Sequence, residues 1–153
     1  MPATNLHLTL RFLGSVDEAG LEELNLELGA IRFPFFELAL GEFGAFGSGR
    51  LKRVLWVGVA AGGEAAAELT ARVEEACVKT GLRPEERPLR AHVTLARARD
   101  RRGAPAPELG APPKLEPWTV REFILFRSKP GPHGSEYIPL QRFSLDRLSS
   151  VWS

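Results

Sequence analysis

Residues 5–13, NLHLTLRFL, alternate polar and apolar side chains. A strand there puts Leu6, Leu8, Leu10 and Phe12 on one face, and His7, Thr9 and Arg11 on the other. A second copy of the phrase, RAHVTLAR at 90–97, sets His92 and Thr94 against Val93 and Leu95 in the same way. Between the copies the period changes. In SVDEAGLEELNLELGAI at 15–31, Leu21, Leu24, Leu28 and Ile31 recur at steps of three and four, which predicts a helix starting near Ser15 or Asp17. Strands are predicted over 34–42 and 52–60, joined by the glycine-rich turn GAFGSGR at 44–50. A second helix is predicted over about 63–80, with Leu69, Val73, Ala76 and Cys77 on one face and Gly81 as its stop. The second motif opens a strand over about 91–98, and the proline, glycine and charge of 99–117 predict a long surface loop. Two strands over 118–128 and 135–145, linked by KPGPHG, complete the pattern. Ile124 and Phe126 alternate with Phe123 and Leu125, so the first of the two is expected to be covered on both faces.

The order is motif strand, helix, two strands, then helix, motif strand, two strands. It predicts an α+β fold of two similar lobes of antiparallel sheet with helices packed outside, all within one domain spanning 1–153. Composition adds limits. A hydrophobic share of 44% and a charged share of 25% are those of a soluble globular chain, and no apolar run approaches the roughly 20 residues that span a bilayer. The start, MPATNLHL, lacks the basic and apolar regions of a signal peptide. Cys77 has no second cysteine to pair with, so it is expected to be a small buried apolar residue in a reducing cytoplasm.

Net charge is only +1, but the charges are unevenly distributed. Asp17, Glu18, Glu22, Glu23 and Glu27 crowd the first helix with no base among them. Arg83, Arg87, Arg90, Arg97, Arg99, Arg101 and Arg102 surround the second motif, against only Glu85, Glu86 and Asp100. Two readings stand: a solvated basic loop, or a local attraction for phosphate beside His92.

The histidines carry the chemistry. Six threonines in 153 positions give any histidine about a 4% chance of a threonine two residues on, so two such hits among three histidines have a chance of roughly 0.5%. One imidazole can accept a proton while the other donates one, and threonine hydroxyls beside them can donate hydrogen bonds to phosphate oxygens. A base, an acid and two phosphate donors suit in-line displacement at phosphorus, above all at a cyclic phosphodiester. Zinc chemistry would want three or four ligands where the motifs offer two histidines, so no metal and no cofactor is expected. The P-loop pattern and the GxSxG pattern are both absent. His133 sits in a Pro/Gly turn and is expected to be exposed and without a role.

NLHLTLRFLG, RVLWVGV, RAHVTLAR and FILFRSKPGPHGSEYIPLQRFSL resemble, in order and spacing, the two-histidine phosphoesterase superfamily. The likeness is to its bacterial and archaeal branch, the RNA 2′,3′-cyclic phosphodiesterases first described as 2′-5′ RNA ligases. The resemblance implies two pseudo-symmetric lobes with the motif strands facing across a cleft. It makes His7 the proton donor, His92 the proton acceptor, and Thr9 and Thr94 phosphate contacts. It also assigns a phosphate contact to Arg97, which strict alternation would turn away from His92 unless the strand bulges. Phe12, the counterpart of Arg97, is then a nucleobase contact or a core residue, and Trp56 and Tyr137 are expected to be packing residues. The implied partners are RNA with 2′,3′-cyclic phosphate ends or cyclic nucleotides, with no membrane and, by default, a monomer. Three functions remain open: hydrolysis to a 2′-phosphate, reversible 2′-5′ ligation, or RNA binding without catalysis. Relatives carry some thirty or more residues before the first motif, so a trimmed first lobe or an internal start is expected, with an exposed sheet edge.

Overall fold

The computed structural model describes residues 6–86, 91–98, 102–105, 116–132 and 134–146. His133 lies outside them, as do Arg87, Arg90, Arg99, Arg101 and most of the predicted 99–117 loop. The elements in chain order are α1 (Glu18–Gly29), β1 (Phe36–Ser48), β2 (Leu51–Ala61), α2 (Gly63–Lys79), β3 (His92–Arg97), β4 (Ala104–Pro105), β5 (Trp118–Val120), β6 (Glu122–Gly131) and β7 (Gly134–Ser144).

Both helices follow their apolar stripes. The Asp17 carboxylate caps α1 by accepting from the Gly20 N–H at 2.7 Å, and Leu24 and Leu28 are buried beneath it. On α2 the buried face includes Leu69, Val73, Ala76 and Cys77, and Gly81 follows the helix end with φ of 95°. Burial pushes the Cys77 thiol up, which suits an inert core residue. None of the described helices is long and apolar enough to cross a membrane.

Strands β3-β2-β1-β5 form one sheet in that order, with β4 added to β2, while β6 and β7 form a separate antiparallel ribbon. The α+β arrangement is the expected one, but the grouping of its parts is not. Helix α1 buries Leu24 and Leu28 in one core with Phe123 and Leu125 of β6 and Phe143 of β7. The first motif sits against that same ribbon, and the second motif strand pairs with β2. Each motif is therefore served by the hairpin from the other half of the chain.

Three local expectations change. Residues 44–48 continue β1 and do not turn; the reversal is confined to Gly49 and Arg50. The glycines there make room: a Cβ on Gly44 would lie 2.2 Å from the Trp56 ring, and one on Gly47 would lie 2.5 Å from the Leu51 carbonyl oxygen. The predicted 118–128 strand breaks at Arg121, so that β5 joins β1 while β6 joins β7. Its second part is covered on one face only, for Phe123 and Leu125 are buried while Phe126 is exposed. Finally, among the described residues the first motif touches the sheet through a single antiparallel bridge, Leu8 to Val93, and the chain bends at Leu10.

Candidate active site

That bridge joins equivalent residues of the two motifs, each one step past its histidine. Antiparallel register carried one step either way sets His7 opposite Thr94, and Thr9 opposite His92. The four side chains then share one face as the corners of a square. The facing pairs, His7 with Thr94 and Thr9 with His92, lie roughly 5 Å apart at Cβ, and the two histidines, on the diagonal, roughly 7–8 Å. That spacing would admit a group the size of a phosphate. All four residues are half-buried, so they are held by the fold yet open to solvent.

The structure breaks strand alternation at the same place in both motifs. In the second, Thr94 pairs with Trp56 and Ala96 with Leu55, which leaves Leu95 as an extra residue in β3. This bulge reverses the phase of the strand and brings Arg97 onto the face of His92 and Thr94. In the first, the bend at Leu10 sends Arg11 toward α2 and leaves Phe12 70% exposed. Phe12 is therefore not a core residue.

Arg11 leaves the histidine face altogether. Its side chain is only 7% exposed and donates from Nε to Glu74 Oε2 of α2 at 2.7 Å. Nη1 donates to the Phe12 carbonyl at 2.8 Å, and Nη2 to the carbonyl of Arg83. Glu74 also accepts from the Glu85 N–H at 2.8 Å. The Arg11 guanidinium, aided by that N–H, holds the Glu74 carboxyl below the usual carboxylate range. The first motif is thus fastened to α2 by one partly buried ion pair.

Each histidine rests on two aromatic rings from a neighbouring hairpin. His92 meets Phe46 edge-on at 5.2 Å and Trp56 at 6.1 Å. His7 lies 4.5 Å from Tyr137 and 6.4 Å from Phe126. Reading the sequence placed Trp56 and Tyr137 as packing residues but missed what they pack against. The Trp56 indole N–H is buried and has no hydrogen-bond partner among the described residues. Beside His92 a hollow of about 370 Å³ is lined by Glu42, Phe46, Trp56, Gly58 and Ala91. The larger hollow, about 660 Å³, lies between α1 and β7 and contains neither histidine. Among the described residues, no three His, Cys, Asp or Glu side chains gather where a metal ion could be held.

Because Gly44 makes room for the Trp56 indole, whose ring lies 6.1 Å from that of His92, Gly44→Ala should displace the indole and disturb the histidine. The expected loss is roughly 1–3 kcal/mol of stability. A thermal melt together with Trp fluorescence checks this; an unchanged spectrum and melting temperature would contradict it.

A family model described as the 2′-5′ RNA ligase superfamily matches residues 1–132. A protein of Aeropyrum pernix named RNA 2′,3′-cyclic phosphodiesterase is 39% identical over 102 residues, covering 67% of this chain and 58% of that protein. An Escherichia coli protein of the same name is 32% identical over 145 residues, covering 94% of this chain and 77% of that one. Among solved structures, E. coli LigT complexed with 3′-AMP is 30% identical with a TM-score of 0.80, covering 94% of this chain and 79% of that chain.

Proposed function

The chain belongs to the 2′-5′ RNA ligase superfamily, and from that premise we propose that it hydrolyses 2′,3′-cyclic phosphate ends of RNA to 2′-phosphates. The names of the A. pernix and E. coli relatives support the reading. The observation that carries it is the Leu8–Val93 bridge, whose register sets His7 and His92 diagonally across from each other, a spacing that suits a phosphate between an acid and a base.

In the proposed mechanism, neutral His92 takes a proton from water as the water oxygen bonds to phosphorus. The bond from phosphorus to the 3′-oxygen breaks, and protonated His7 gives its proton to that oxygen. The diagonal placement suits an in-line path, with entering and leaving oxygens on opposite sides of phosphorus. Thr9 and Thr94 hydroxyls donate to the non-bridging oxygens, where negative charge builds up. Arg97 adds a cation on the same face, and exposed Phe12 offers a ring to a nucleobase. No metal ion enters this scheme.

The deciding experiment is a product assay on an oligonucleotide ending in a 2′,3′-cyclic phosphate. The expected product is the 2′-phosphate, at a rate unaffected by prolonged EDTA treatment. A 3′-phosphate product, or activity lost with EDTA and restored by a divalent ion, would overturn the mechanism. Adding an RNA with a 5′-hydroxyl tests ligation, since that hydroxyl would replace water against the same leaving oxygen. Thr9→Val and Thr94→Val should each lower kcat/KM by roughly 10-fold or more, because each removes one hydrogen bond to a charged group while keeping shape. A circular-dichroism melt showing these variants unfolded would make the threonines structural.

A further inference from the structure

We infer that the hollow beside His92 takes the base of the nucleotide whose cyclic phosphate is opened, and that Glu42 makes this subsite select guanine. The inference rests on the phosphodiesterase reading above and adds the choice of base.

The hollow has its cause in the strand register. Gly58 of β2 stands opposite His92 of β3, so the position next to the imidazole on the neighbouring strand carries no side chain. On the other side of β2, Leu40 pairs with Val59 and Phe43 with Val57. Two residues of β1, Gly41 and Glu42, are thereby set against Gly58 alone. A bulge of this kind re-aims a side chain beside a site. Here Glu42 lines the same hollow as His92, from two strands away. Their backbones are separated by two strand spacings, roughly 10 Å. That is the reach of one nucleoside, from its ribose 2′- and 3′-oxygens to the far edge of its base. The hollow, about 370 Å³, has room for a purine.

Hydrogen-bonding chemistry then selects the base. Phe46 and Trp56 supply aromatic walls, and the Trp56 indole N–H is buried. The side chains that line the hollow therefore offer a ligand two polar groups, the Glu42 carboxylate and the His92 imidazole. The proposed mechanism commits His92 to the reacting end. Glu42 is exposed, and among the described residues it enters no ion pair. A carboxylate accepts hydrogen bonds and donates none, and it repels phosphate, so the group that it answers is an N–H donor. Guanine is the base with two adjacent donors on its Watson–Crick edge, N1–H and the N2 amine, which match two carboxylate oxygens. Adenine and cytosine set their amine beside a ring-nitrogen acceptor, and uracil sets its N–H between two carbonyls. Each would bring a lone pair against the carboxylate. Aromatic walls with hydrogen bonds to the Watson–Crick edge are the usual means of reading an unpaired RNA base. Phe12, on the first motif, is then left to a neighbouring base.

The test compares kcat/KM for the 2′,3′-cyclic phosphates of guanosine, inosine and adenosine. Wild type should prefer the guanosine substrate to the adenosine one by roughly 10–100-fold, the worth of a hydrogen bond to a charged group. Inosine lacks the N2 amine and should fall between them. Glu42→Gln keeps the shape of the side chain and replaces one acceptor with a donor, so the ratio of guanosine to adenosine should collapse toward one. Isothermal titration with 2′-GMP and 2′-AMP reads the same ratio without turnover. Equal kcat/KM for the guanosine and adenosine substrates, or a guanosine preference that survives Glu42→Gln, overturns the inference. If no cyclic nucleotide turns over, the phosphodiesterase reading fails, and the titration still decides the subsite. Preferential binding of 2′-GMP that Glu42→Gln removes upholds it, and equal or absent binding overturns it.

Discussion

Replacing either His7 or His92 with alanine is expected to lower kcat/KM by roughly 10²–10⁴-fold, the usual worth of a positioned acid or base. The two losses should not multiply, because an acid and a base that act on one displacement form a unit. The pH profile separates the roles. One imidazole must be neutral and the other protonated, so wild-type kcat/KM should fall on both sides of an optimum. The limbs belong to the coupled pair. His92→Ala should remove the acidic limb, since the group that must lose a proton is gone, and His7→Ala should remove the basic one. His133→Ala should behave as wild type. A fully active His92→Ala enzyme, or a flat profile with chemistry rate-limiting, would sink the pairing.

Arg11→Ala is expected to cost roughly 1–3 kcal/mol, between an exposed and a buried pair, because Glu74 keeps 26% of its side-chain exposure. It strands the Glu74 carboxylate and removes the fastening between the first motif and α2. Activity should fall further than stability explains, since His7 is four residues away on a segment with one backbone bridge. The same pair gives an acid sensitivity whose sign is fixed. Glu74 has a folded-state pKa below its unfolded value, so its contribution is complete above the ordinary glutamate range near pH ~4.3. That contribution is lost as pH falls through the lower, folded value. Urea melts of wild type and Glu74→Gln at successively lower pH check this. The gap between them should close in acid, and a gap independent of pH would refute the assignment.

Much of this was legible because it is periodic. The stripe Leu21, Leu24, Leu28 and the face Leu69, Val73, Cys77 specify helices whatever they pack on. The two His-x-Thr phrases specify their own polar face. Partner choice has no such signature. Nothing local in SEYIPLQRF says that its Tyr137 will lie under His7, 130 residues earlier in the chain. Glycine serves both turning and close approach, and at Gly44 only the Trp56 ring across the hairpin tells them apart. Alternation assumes a straight strand and sets Arg11 beside His7, but the bend at Leu10, which turns Arg11 to Glu74, is not encoded in hydrophobicity. The bulge at Leu95 was the condition set for Arg97 to share the histidine face, and the register meets it.

The bridge between Leu8 and Val93 relates the two motifs by a local two-fold, and this has a stereochemical consequence. A square of two histidines and two threonines looks nearly the same to a cyclic phosphate turned through half a revolution. One orientation presents the 3′-oxygen to the proposed acid, and the other presents the 2′-oxygen. The acid–base pair alone therefore does not select which ribose oxygen departs. The surroundings must do so, and they are unequal. Phe46 and Trp56 flank one imidazole, Phe126 and Tyr137 the other, and Arg97 belongs to the strand of His92. Regioselectivity in this enzyme would reside in its walls, and substitutions there should change the ratio of 2′- to 3′-phosphate while leaving the histidines in place.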